Sequence, residues 1–101
     1  MRLIADVVGK AYGASLEDLH GRSRVRRLVE ARERAMTLAR RLTSKGYPNL
    51  ARFFQRDFTT VLFLVKRMEE KCRSNLSLAA ELATLEQACI TQAWREHVTN
   101  T

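Results

Sequence analysis

The sequence predicts an all-α chain, built around a short helix and a second helix joined by a tight basic turn and closed by one more helix at the C-terminus. Three observations carry that prediction. Apolar residues recur at helical spacing through most of the 101 residues. The composition is 46% hydrophobic with one Pro and four Gly, which favours a compact helical protein over a disordered one. The breaks between apolar stripes fall where glycine, proline or a run of polar residues punctuates the chain. A chain of this length forms one domain and buries a modest core without needing a disulfide or a metal.

Taken in order, residues 2–12 place Leu3, Ile4, Val7, Val8 and Ala11 on one helical face, and Gly13 provides a C-terminal stop. Ser15 is an N-cap for a short turn through Leu16 and Leu19. His20-Gly21-Arg22-Ser23-Arg24 reads as a basic loop. A long helix over residues 25–43 carries the stripe Val25, Leu28, Val29, Ala35, Met36, Ala39 and Leu42. Arg32 falls near that stripe, where its stem lies along the edge while its head reaches a phosphate or a carboxylate. Gly46 ends the helix, and Pro48 suits the first turn of the next, at 48–54, which offers Leu50, Phe53 and Phe54 to the core. Residues 55–58 form the turn, and Asp57 is the expected N-cap of a helix running to Cys72 with Val61, Leu64, Val65 and Met68 inward. The last helix, 76–98, is capped by Asn75 or Ser77 and aligns Leu78, Leu82, Leu85, Cys89 and Ala93, with Trp94 beside them.

The formal net charge is +7, and its distribution says more than its size. Residues 21–73 hold fifteen basic and five acidic groups, net +10, whereas residues 1–20 sum to −1 and residues 74–101 to −2. A basic block confined to the middle of the chain attracts phosphate backbones. It coincides with the helix-turn-helix pattern, a motif whose second helix presents its N-terminal residues to base edges while flanking cations hold phosphates. Thr59 and Thr60 are short hydroxyl residues at such a helix start, and a Thr methyl packs on a thymine methyl. Asp57 either accepts from a cytosine amino group or simply caps the helix. Arg40, Arg41, Lys45 and Arg56 surround the turn, and Arg22 and Arg24 suit backbone contact or minor-groove insertion.

Other chemistries find little support. His20 and His97 are far apart and lack metal-ligand spacing, so no metal and no cofactor are expected. The four glycines are isolated, and Cys72 and Cys89 have neither a CxxC nor a neighbouring base, so no catalytic residue is assigned. No apolar run approaches membrane-spanning length, and the N-terminus meets a charge at Asp6 before any signal-peptide core develops. These features lead to the expectation of a soluble cytoplasmic protein.

Three segments in order, residues 31–43, then Tyr47-Pro48-Asn49-Leu50-Ala51-Arg52-Phe53-Phe54, then Arg56-Asp57-Phe58-Thr59-Thr60-Val61, resemble the C-terminal DNA-binding domain of the bacterial replication initiator DnaA. The resemblance covers about residues 3–72, and implies a Trp-repressor-like helix-turn-helix domain over 1–73 with an additional C-terminal helix over 74–101. That helix would either pack on the domain or serve as a partner surface. The resemblance further implies binding of duplex DNA at the short A·T-rich repeats called DnaA boxes. Arg24 would enter the minor groove, Asp57, Thr59 and Thr60 would read the major groove, and Arg32 and Arg40 would support backbone contact. Phe58 stands where the family has His, Phe63 where it usually has a second His, and Leu64 where it has Ala.

The expected function is therefore that of a nucleoid-associated protein recognising DnaA-box-like duplex sites and modulating replication initiation or transcription. Arg22, Arg24, Arg32, Arg40, Lys45, Arg56, Asp57, Phe58, Thr59 and Thr60 form the DNA face. No ATPase module is present in the sequence, so the chain read as a whole protein is a free-standing relative of one initiator domain. The alternative is a module on the same fold that regulates initiation through protein contact, using Phe63 and Trp94 toward replication-initiation proteins.

Overall fold

The computed structural model describes residues 1–99, the last of them through its backbone alone. Six α-helices follow one another, α1 Arg2–Tyr12, α2 Leu16–His20, α3 Arg26–Leu42, α4 Tyr47–Phe54, α5 Phe58–Ser74 and α6 Leu76–Thr99, with no strand among the described residues. The protein is all-α. Among the described residues no helix is long and apolar enough to cross a membrane.

α3 is the axis of the fold, and α1, α2, α4, α5 and α6 all pack on it. Burial is accordingly continuous from Ala31 to Ala39, wider than the one stripe that the periodicity predicts. Ala31, Ala35 and Ala39 let the neighbouring backbones come close, while Met36 and Leu38 fill the space around them. Val8, Leu19, Leu50, Phe54, Val61, Val65, Met68 and Leu82 converge on this axis from the surrounding helices. Val25 lies outside the stripe expected of it: it is the N-cap residue of α3 and 55% exposed.

The turns follow the local chemistry. Gly13 ends α1 in the left-handed region, and Ser15 caps α2 reciprocally with Asp18. Gly9 is the close-approach glycine. A Cβ there would collide with the carbonyl oxygen of Ala14, whose own amide donates to Gly9 O at 2.8 Å. Pro48 sits in the first turn of α4, and Asp57 caps α5.

α6 joins the same core through Leu78, Leu82, Leu85 and Cys89, but Ala93 is exposed, so the buried face ends one turn earlier than the sequence suggests. Of its two candidate caps, Asn75 is the one used, its Oδ1 accepting from Leu78 N at 3.0 Å. Polar clamps fasten the helix. Arg34 stacks on the Tyr12 ring at 5.4 Å and donates to Glu81 at 2.5 Å, and the Tyr12 hydroxyl donates to the same carboxylate. Arg41 reaches Glu69 on α5 at 2.5 Å and Glu86 on α6 at 3.5 Å.

Candidate nucleic-acid interface

The reversal between α4 and α5 is made by Gln55, whose φ of 56° is the left-handed conformation. The Arg56 amide then returns to Ala51 O at 2.9 Å, closing the end of α4. Asp57 accepts from Thr59 N at 3.1 Å, which sets the first turn of α5. With Val61 buried, the helix phase is fixed, and Phe58, Thr59 and Thr60 are all left exposed at its start. Phe58 is 44% exposed and rests edge-on against Tyr47, ring centroids 6.3 Å apart. Arg40 lies over the Tyr47 ring, its guanidinium 4.7 Å from the ring centre, with Nη1 donating to Lys45 O at 3.4 Å. Arg40, Lys45, Tyr47 and Phe58 thus form one basic-aromatic corner.

Arg56 departs from a simple phosphate-facing role. Its Nη1 donates to His20 O at 2.9 Å and to Phe54 O and Gln55 O at 3.3 Å, and its Nη2 donates to Gly21 O. It therefore bolts the basic loop to the turn. Arg32 departs further. Its guanidinium, expected at a phosphate, is buried on α3 and faces backbone carbonyls. Nε and Nη2 donate to Asp18 O at 3.0 and 2.9 Å, and Nη1 donates to Ser23 O at 2.5 Å. The physical reason is that α2 and the basic loop fold over α3 and bring uncapped carbonyls within reach of the arginine fork. Burial lowers the affinity of both guanidinium groups for their protons, and Arg56 feels Arg32 and Arg22 as additional like charges.

Arg22 and Arg24 are exposed on the loop so held. Through Arg56 the structure thus ties the loop that carries Arg22 and Arg24 to the turn before α5, with the Arg40–Lys45 corner on the α3–α4 connection. The two aromatic residues singled out as a partner surface stand on different helices. Phe63 stands 66% exposed on α5 and Trp94 65% exposed on α6, beside His97, with no ring contact between them among the described residues. Sequence reasoning passed over three supporting residues: His20, whose ring meets Phe53 edge-on at 5.6 Å, Tyr47, and Gln55. Only Tyr47, adjacent to the helix-starting proline, carried any signal.

Residues 1–68 match the family model of the bacterial dnaA protein helix-turn-helix. This chain belongs to the bacterial DnaA helix-turn-helix family. Among its relatives are chromosomal replication initiator proteins DnaA. That of Desulfotalea psychrophila is 35% identical over 83 residues, covering 82% of this chain and 17% of the relative. That of Brucella abortus is 36% identical over 91 residues, 89% of this chain and 18% of the relative. That of Caldanaerobacter subterraneus is 32% identical over 87 residues, 86% of this chain and 20% of the relative. The chain spans at most a fifth of the length of these relatives. Alignments of 83 to 91 residues in a chain of 101 necessarily run into α6, so the DnaA likeness continues beyond the helix-turn-helix into the last helix.

Proposed function

We propose that this DnaA-family chain binds duplex DNA, reading DnaA-box-like sites and acting in the control of replication initiation. The observation that supports this reading best is the Arg56 bolt. It holds the loop bearing Arg22 and Arg24 against the turn that presents Phe58, Thr59 and Thr60, so two groups of contacts are set at a fixed separation before DNA arrives. Preorganisation of this kind spares the ordering that binding otherwise costs. In the proposed complex the first turn of α5 enters the major groove, and Thr59 and Thr60 meet base edges. Asp57, already committed to Thr59 N, positions that turn and keeps one carboxylate oxygen for a cytosine amino group. Phe58 offers an apolar edge to a thymine methyl. Arg24 enters the adjacent minor groove with Arg22 beside it, while Arg40 and Lys45 hold phosphates. Arg32 acts from beneath, by holding the loop.

Titrating the protein into a box-bearing duplex and a scrambled one, at about 50 and 200 mM salt, tests the reading. Site-preferring binding that falls steeply with salt is expected, and Arg24→Ala should weaken it. Equal, weak binding to both duplexes would refute base reading, and an unchanged Arg24→Ala would refute this docking.

The exposed Phe63 favours a second reading, in which the same fold regulates initiation through a protein contact. Phe63→Asp would then abolish capture of initiator protein while leaving the fold intact, and unchanged capture would count against it.

A further inference from the structure

α6 carries two uncharged seams. One, made of Leu78, Leu82, Leu85 and Cys89, is buried against the domain. The other runs along the opposite side as Leu76, Ala80, Ala83, Gln87, Ile90 and Trp94, all six exposed, with Leu76 at 84%, Ile90 at 47% and Trp94 at 65%. The steps between these positions are 4, 3, 4, 3 and 4, the spacing of a coiled-coil seam. That series reads the same in both directions. A second helix of identical sequence laid antiparallel therefore sets Leu76 against Trp94, Ala80 against Ile90 and Ala83 against Gln87, each pair occurring twice about a two-fold axis.

We propose that this face of α6 is a homodimer interface, formed by two copies of the chain pairing α6 against α6 in antiparallel orientation. The inference rests on α6 alone and is independent of the DNA reading. Charge favours a second copy over a cationic or anionic partner. The seam holds no charged residue, and the segment 74–101 sums to −2 in a chain of +7, so two copies meet at their least positive part. Of the positions flanking the seam, Ser77, Ala79, Thr84, Thr91 and Ala93 are neutral and small. Glu86 is the charged one, and each copy's Glu86 already faces its own Arg41 at 3.5 Å. The small central residues Ala80 and Ala83 let the helices approach closely, and the large residues close both ends. Two copies would bury about 1,000 Å², near the lower edge of specific interfaces, so the dimer forms in a concentration-dependent manner.

Sedimentation equilibrium from about 1 to 100 µM, the range natural to an interface of this size, reads the association directly. The wild type should pass from monomer to dimer, and the double variant I90E/W94E should remain monomeric with an unchanged circular-dichroism melt, since both side chains are exposed. The register has its own test. Ala83→Cys mixed with Gln87→Cys should crosslink under oxidation more than either variant alone, with wild type as the blank for Cys72 and Cys89. A wild type that stays monomeric, a dimer that survives I90E/W94E, or an Ala83→Cys protein that crosslinks best with itself would each overturn the proposal.

Discussion

Replacing Arg56 by lysine separates the bolt from the charge. The guanidinium spans two carbonyls of the basic loop, His20 at 2.9 Å and Gly21, while also capping Phe54 and Gln55 at 3.3 Å. An ammonium keeps the charge but is a single point on a flexible stem, and it cannot hold this fork. Hydrogen bonds from a charged donor are worth about 1.5–3 kcal/mol each, and the partial exposure of this site brings the two loop bonds together to roughly 2 kcal/mol. That free energy holds the loop in place. Without it, DNA must order the loop during binding, and affinity falls by about tenfold, with about 30-fold as the ceiling. The salt dependence should barely change, because no positive charge has been removed. The assay is a duplex titration of wild type, Arg56→Lys and Arg56→Ala at several salt concentrations. An Arg56→Lys protein that binds like wild type, beside an Arg56→Ala protein that loses both affinity and about one unit of salt slope, would refute the bolt and make Arg56 a phosphate ligand.

Phe58→His would restore the residue implied by the family resemblance at the helix start, and should raise preference for a box over a scrambled duplex by about 1–3 kcal/mol, readable as a ratio of dissociation constants. Gly9→Ala should lower the urea unfolding free energy by about 1–3 kcal/mol, because the obstacle is a backbone carbonyl rather than a movable side chain; an unchanged midpoint would show that the α1–α2 corner can shift. The Arg41 hydrogen bond holds the Glu69 carboxyl below its ordinary 4.5, so its stabilising contribution is complete above that value and is lost as pH falls through the lower, folded-state value. Glu69→Gln should therefore reduce stability at pH 7 by at most about 1 kcal/mol and flatten the acid limb of the stability curve, and identical acid limbs would count against the pairing.

What the sequence made legible was local. Gly13, Ser15, Pro48 and Asp57 announce helix ends because each acts on backbone atoms within a few residues of itself. The exposed start of α5 was legible for the same reason: once Asp57 caps and Val61 is inward, the phase of the helix decides where Thr59 and Thr60 stand. The fate of Arg32 was not, since its partners lie nine and fourteen residues away and are backbone carbonyls, which have no side-chain identity to recognise. Gly9 hides its role in the same way, through contact with a carbonyl oxygen across the α1–α2 corner. Ala93 was placed on the buried face by continuing a period beyond the point where α6 still has a neighbour.

Arg32 and Arg56 also change what the basic block of the sequence means. Both read as cations for DNA, yet each spends donors on carbonyls beneath the loop that carries Arg22 and Arg24. The four arginines divide into two that hold and two that are held. Concentrating them raises the positive potential at the loop, because the supporting guanidinium groups keep their charge while lending their hydrogen bonds. That arrangement has an internal cost. Burial first, and then the like charges of Arg32 and Arg22, lower the proton affinity of Arg56. An anion beside the loop relieves the repulsion. In the proposed complex a phosphate beside the loop would play that part, alongside the contacts proposed for Arg22 and Arg24.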